Sequence, residues 1–160
     1  MNEFNRLPPD EAEERLYVCF ASRKWARRLA AGRPYVDVDA LLGAAGRVWS
    51  ELEPSDWSEA YAGHPRIGER GGSSPAASES EQGGVRSARA DTLAQLAEEN
   101  RRYEAKFGRV FFISAQGKSA EEILAALRKR MDNDSETEAQ IAATEHQKVA
   151  VLRLMSVARP

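Results

Sequence analysis

The sequence has little of what metal sites and disulfide frameworks require. Its 160 residues include one cysteine, Cys19, and two histidines, His64 and His146. A single cysteine cannot form an intrachain disulfide, and without a spaced Cys/His cluster a classical structural zinc site is excluded. We therefore expect no metal, a core position for Cys19, and a reducing compartment.

Long hydrophobic runs and an excess of one charge are also lacking. The apolar stretches fall far short of a membrane span, and the acidic N-terminal segment does not resemble a signal peptide. The last three residues, Ala-Arg-Pro, are not a peroxisomal Ser-Lys-Leu tail. A formal net charge of −2 gives no electrostatic reason to expect nucleic acid or a membrane surface as partner. Together these features predict a cytoplasmic protein.

Helical periodicity runs along nearly the whole chain. Helix starts are marked by Pro8-Pro9 ahead of acidic residues and by the capping residues Ser22, Asp37 and Ser119. A last long helix is predicted, and its buried stripe is expected to contain Ile141, Glu145, Val149 and Leu152. No repeat or linker divides the chain. The sequence therefore predicts one all-α domain over residues 1–160, a bundle of about seven or eight helices.

The most informative motif is His-Pro-Arg-Ile-Gly at residues 64–68, where a helix breaks into a Gly/Ser-rich loop that extends to about Ser80. Imidazole titrates near neutrality, so His64 can give or take a proton without much tuning. If both ends of the loop return to one end of the bundle, Glu81 comes close to His64 and the two can divide acid and base roles. The blander interpretations also stand: His64 is an ordinary loop residue, and Ser78-x-x-Glu81 is a helix capping box.

Two further segments are ambiguous. Asn100 shares a helix face with Tyr103 and Phe107, and a buried amide there must find hydrogen-bond partners. The run 110–113, Val-Phe-Phe-Ile, is extended, so its backbone groups face a ligand or the run is a simple buried connector.

The last helix carries two more candidates. Arg153 is either a surface residue whose aliphatic part packs on the core, or a residue whose guanidinium binds a substrate carboxylate or carbonyl. His146 lies in a charged stretch beside Glu145 and Gln147, which predicts that it is solvent-exposed.

In their order and spacing these segments resemble one family, the OHCU decarboxylases. That family converts 2-oxo-4-hydroxy-4-carboxy-5-ureidoimidazoline (OHCU) to (S)-allantoin, the last step of urate oxidation. The matching segments cover nearly the whole chain: Cys19–Trp25, His64–Gly68, Ser78–Gln82, Asn100–Gly108, Phe111–Ile113, Lys118–Leu124, Asn133-Asp134 and Leu152–Leu154.

The resemblance implies roles for individual residues. The family's catalytic histidine and glutamate fall on His64 and Glu81. Its substrate-binding positions fall on Pro65, Ser78, Gln82, Phe111, Phe112, Ile113 and Arg153. The family fold is an all-α bundle, a homodimer that works without a cofactor on a small ureide substrate.

The chemistry is compatible with these residues. Loss of CO2 leaves an electron pair on a ring carbon, and the adjacent C=N of the substrate can accept it, so no cofactor is expected. Two other functions remain open: a ureide hydrolase or isomerase on the same scaffold, and a non-enzymatic helical interaction module.

Overall fold

The computed structural model describes residues 1–68, 80–86 and 88–157. Within these ranges the chain forms nine α-helices and no strand: α1 (Asn2–Arg6), α2 (Pro9–Cys19), α3 (Arg23–Ala31), α4 (Val38–Ser50), α5 (Pro54–Ala62), α6 (Gly83–Arg86), α7 (Ala90–Phe107), α8 (Ala120–Arg130) and α9 (Ser135–Val157). The all-α prediction is confirmed for these residues. The five-residue α1 is the helix that the sequence patterns do not predict.

Helix starts follow the predicted capping chemistry. Oxygens of the Ser22, Asp37 and Ser119 side chains accept hydrogen bonds from backbone N–H groups at the starts of α3, α4 and α8. Each bond satisfies a donor that the first helical turn leaves unpaired. These local signals fix where the helices begin.

Contacts divide the chain into two compact units, residues 1–63 with 147–160 and residues 64–146. The first unit is built on aromatic packing. Trp25 and Trp49 stack at 5.5 Å between ring centroids, and Phe20 meets the Trp49 ring edge-on at 5.8 Å. Helix α3 packs against both α2 and α4 in this unit. Cys19 is buried in this core, as the sequence predicts.

The second unit packs α7 against α8. Its core contains Leu96 and Tyr103 from α7, Ile123 and Leu127 from α8, and Phe111 from the extended run between them. The expectation of a single domain over 1–160 stays a prediction.

None of the described helices is long and apolar enough to cross a bilayer. Nor do the described residues contain a group of three or more His, Cys, Asp or Glu side chains arranged to hold a metal ion.

Candidate active site

The His-Pro-Arg-Ile-Gly segment follows directly after α5, which ends at Ala62 with Gly63 as its cap. His64 and Pro65 are half-buried, and Ile67 is buried in the core of the second unit. Gly68 has a φ of +92°, a left-handed conformation that a residue with a side chain rarely adopts. The glycine therefore lets the chain turn sharply just after the candidate catalytic residue.

Three side chains from elsewhere in the second unit fix this segment. Arg66 pairs with both carboxylate oxygens of Glu104 on α7, at 2.5 and 3.0 Å. Asn100, also on α7, donates to the Ile67 carbonyl at 3.3 Å. At the turn, the Gly68 N–H donates to Gln82 Oε1 at 2.9 Å. Arg66, for which the sequence suggests no role, thus anchors the segment that carries His64.

The Gly68–Gln82 bond also confirms that the two ends of the loop return to each other. Gln82 is buried, and Glu81 next to it is helical and half-buried. Ser78, and most of the predicted Gly/Ser-rich loop, lie outside the described residues. A meeting of the Glu81 carboxylate with the His64 imidazole, and the binding roles of Ser78 and Gln82, remain predictions.

A cleft of about 400 Å³ opens beside the same segment. Arg66, Ile67 and Gly68 line one side of it, and Leu96, Asn100 and Arg101 of α7 are among the residues opposite. Asn100 is buried, and among the described residues no donor meets its Oδ1 atom. A buried acceptor normally has a hydrogen-bond donor, so this amide stays incompletely satisfied among the described residues.

The His64 ring lies in a cluster of three rings. Its centroid is 4.5 Å from that of Phe112 and 4.4 Å from that of His146, and the Phe112 and His146 centroids are 4.4 Å apart. The Nε2 atoms of the two imidazoles are 2.5 Å apart, a hydrogen bond whose donor depends on the tautomers.

The prediction that His146 is solvent-exposed is wrong, because only 1% of this residue is exposed to solvent. The predicted stripe of α9 is only partly correct: Val149 is buried, but Leu152 is exposed. The buried face also carries Glu138, Ala142 and His146 at four-residue spacing. Two residues on that face, Glu138 and His146, are polar, so a pattern based on apolar residues alone does not detect the face. The spacing from Ala142 to Ala150 through His146 is the signal that could have revealed it.

The extended run after α7 forms one wall of the ring cluster. Gly108 ends α7 with a φ of +69°, and no helix forms between it and α8. Phe111 packs into the core against Tyr103, at 5.2 Å, whereas Phe112 faces the imidazoles. Ile113 is buried in the same core. All three side chains are therefore buried, and contact of their backbone with a ligand remains a prediction.

Side chains hold one backbone group of this run and one directly after it. The Phe112 carbonyl accepts from Arg130 Nη1 at 2.7 Å, and the Ser114 N–H donates to the Glu145 carboxylate at 3.1 Å. Arg130 also packs its guanidinium over the Phe111 ring. The run is thus positioned by α8 and α9 instead of by a β-ladder.

Arg130 belongs to a buried charge network that sequence reasoning missed. Glu138 Oε1 accepts from Arg130 Nε at 2.7 Å and from the Tyr103 hydroxyl at 2.5 Å, and Asn133 donates to Glu138 Oε2 at 3.1 Å. Burial, followed by the neighbouring Glu138 carboxylate, raises the pKa of Tyr103, so its hydroxyl stays protonated and donates.

Arg153 is buried in the first unit, so the surface interpretation is wrong. Its Nη1 donates to the Val18 carbonyl at 3.1 Å. Burial raises the pKa of the nearby Cys19 thiol to about 12, and the positive charge of Arg153 partly opposes that shift. A substrate-binding role for Arg153 remains a prediction.

Comparison with known proteins agrees with the motifs. The family model for OHCU decarboxylase matches residues 5–155. The chain is 33% identical over 148 residues to the uric acid degradation bifunctional protein TTL of Arabidopsis thaliana, covering 89% of this chain and 46% of that protein. It thus spans less than half the length of that relative. It is 29% identical over 160 residues to the 2-oxo-4-hydroxy-4-carboxy-5-ureidoimidazoline decarboxylase of Haloferax volcanii, covering 96% of this chain and 93% of that protein.

Solved structures agree with this assignment. A crystal structure of OHCU decarboxylase in the presence of (S)-allantoin superposes with a TM-score of 0.78 at 30% identity, covering 90% of this chain and 96% of that one. A crystal structure of (S)-allantoin synthase shares the fold with a TM-score of 0.77 at 18% identity, covering 99% and 53%. Because the family model extends over nearly the whole sequence, the chain belongs to the OHCU decarboxylase family.

Proposed function

We propose that this chain decarboxylates OHCU to (S)-allantoin and CO2 without a cofactor. The observation that carries the proposal is the family match over residues 5–155. The relative of nearly equal length, from Haloferax volcanii, is named for this decarboxylation. The matching crystal structure of an OHCU decarboxylase was determined in the presence of (S)-allantoin.

To catalyse this reaction, the protein must orient the substrate and must protonate the intermediate on one face only. When the carboxylate leaves as CO2, its bonding electrons remain on the ring carbon and are delocalised into the adjacent C=N. A proton must then reach one face of the neighbouring carbon, which bears the ureido group, while the 4-hydroxyl gives up its proton and becomes the product carbonyl. Protonation of both faces would give a racemic product. Positioned side chains can supply both the orientation and the proton.

In this proposal His64 and Glu81 handle the protons. The half-buried His64 ring is held by Phe112 and His146, and its chain segment is anchored through Arg66, so the imidazole is preorganised. Preorganisation supports catalysis because little reorganisation is then needed during the reaction. Pro65, Ser78, Gln82, the backbone of 111–113 and Arg153 are assigned to binding the ureido, carbonyl and carboxylate groups.

The direct test uses OHCU generated freshly from urate with urate oxidase. We expect His64→Ala and Glu81→Gln each to lower the enzymatic rate by about 10²–10⁴-fold, the usual contribution of a general acid or base. Circular dichroism follows the appearance of (S)-allantoin. Glu98→Gln is the matched control for the carboxylate change, because Glu98 is an exposed residue of α7 paired with Arg101.

Thermal melts of all variants separate a loss of chemistry from a loss of folding. A wild-type rate and stereochemistry in either folded variant would remove the role assigned to that residue. Product analysis by NMR also decides between the alternatives: a hydrolase or isomerase gives a product other than allantoin and CO2, and an interaction module gives no turnover.

The assembly and location belong to the same proposal. Membership of the family supports a homodimer acting on a small ureide, with neither nucleic acid nor membrane as partner. A cytoplasmic location is proposed because the single buried cysteine requires no oxidising compartment.

A further inference from the structure

We propose that His146 is a positioning residue for His64: a hydrogen bond between the two Nε2 atoms fixes the orientation and the tautomer of the His64 imidazole. The catalytic consequence rests on the function proposed above, whereas the hydrogen bond itself does not. The two residues are 82 positions apart in the sequence.

The geometry of the pair requires a shared proton. The Nε2 atoms are 2.5 Å apart and the ring planes are inclined at 72°, with centroids 4.4 Å apart. At this separation two N–H groups would clash, and two bare nitrogens would oppose their lone pairs. One proton must therefore lie between the rings.

This constraint links the tautomers of the two rings. If His64 carries the proton on Nε2, then His146 must leave its own Nε2 bare and, when neutral, carry its proton on Nδ1. The opposite arrangement reverses both rings. The partner of one ring nitrogen is what determines which nitrogen of a histidine is protonated, and proton transfer depends on that choice.

His146 lies in a buried, helical part of the chain. It is 1% exposed on the long helix α9, and Phe112 packs against both imidazoles. A helical, buried residue loses little further freedom when it bonds, and the apolar Phe112 ring strengthens the bond by excluding water. His64, by contrast, follows a helix end in a non-helical segment. His146 is thus the rigid partner that orients a less constrained one.

The pair can be observed directly without substrate, because the chain has only these two histidines. In ¹⁵N-labelled protein at neutral pH, two-bond ¹H–¹⁵N spectra report the protonation of each ring nitrogen, and His146→Gln assigns the signals. We expect the Nε2-protonated fractions of the two rings to sum to about one in the wild type. Two rings that are both protonated at Nε2, or both bare there, would overturn the proposal.

Kinetics test the consequence for catalysis. We expect His146→Leu to lower kcat by about 100-fold, the effect of a small misplacement of a reacting group, while KM changes less than about threefold. His146→Gln places an amide near the Nε2 position and should recover at least about tenfold of that loss. Equal losses in the Leu and Gln variants would mean that His146 only fills space, and the proposal would fail.

Thr144→Ala is the matched control on α9. Thr144 is exposed and its hydroxyl bonds the Gln140 carbonyl, so this variant should keep the wild-type rate. The kinetic experiment and the NMR experiment test different claims, so one can fail without the other. If the wild type does not turn over OHCU, the proposed function is wrong, and the nitrogen spectra still decide whether His146 holds His64.

Discussion

Asp134 directly precedes α9 and caps it with both carboxylate oxygens. Its Oδ1 accepts from the Thr137 N–H at 2.8 Å, and its Oδ2 accepts from the Thr137 hydroxyl at 3.1 Å. The backbone bond, followed by the hydroxyl bond, lowers the pKa of Asp134 below its usual 3.8. The ionised side chain is therefore the form that the folded state prefers.

The first prediction concerns the pH dependence of this cap. Since the folded pKa lies below the unfolded one, the contribution of the charge is complete above about 3.8 and is lost as the pH falls through the folded value. Asn caps a helix about as well as Asp but carries no charge. We expect Asp134→Asn to lower the free energy of unfolding at neutral pH and to match the wild type in acid.

Urea unfolding at a series of pH values measures this difference. Asp134→Ala is the control, because it removes the cap at every pH. A difference between wild type and Asp134→Asn that stays constant from pH 7 to pH 2 would contradict the electrostatic account.

Residue identity alone predicts some of the site and misses the rest. His64 could be found because a histidine beside proline and glycine, at the end of a helix, is a local pattern. His146 could not, because its neighbours Glu145 and Gln147 suggest solvent, and its burial depends on an imidazole 82 positions away. The buried Ala142 and Ala150, four residues to either side of His146, are the only local sign of its burial, and they do not reveal the imidazole that it contacts.

At the scale of elements, Glu138 ties three helices of the second unit together. Tyr103 of α7 and Arg130 of α8 both donate to this one carboxylate on α9, and Arg130 also donates to the Phe112 carbonyl. Glu138 is fully buried and Arg130 nearly so. A buried charge is tolerated only while its partner is present.

This network gives a prediction for stability. We expect Glu138→Gln and Arg130→Met each to lower the free energy of unfolding by about 3–5 kcal/mol, since each leaves a buried charge unpaired. The double variant Arg130→Met/Glu138→Gln should cost clearly less than the sum of the single losses, because no charge remains. Urea unfolding measures all three. Strictly additive losses would mean that the two residues do not act as a pair.

Helices were predictable where their signals are local. Ser22, Asp37 and Ser119 have the chemistry of helix caps, and all three act as caps. The helix α1 has no side-chain cap and only five residues, so neither a capping motif nor a helical periodicity predicts it. The stripe of α9 was predicted only in part because a buried Glu and a buried His follow from partners on other elements, not from apolar periodicity.

At the scale of the whole molecule, assembly is the open expectation. For the proposed homodimer, sedimentation velocity of the intact chain should give twice the 17.7 kDa of one chain at micromolar concentration. The dimer fraction should fall on dilution by mass action. A single species of one-chain mass across that range would contradict the dimer.

The imidazole pair has one more consequence, for how members of this family can be recombined. His64 and His146 are the first and last residues of the second unit, and their rings are in contact. A segment whose two ends meet can be exchanged for its counterpart from a relative without stretching the chain on either side. Residues 64–146 can therefore serve as a cassette for chimaeras, provided that α9, which the second junction cuts, keeps its helical register.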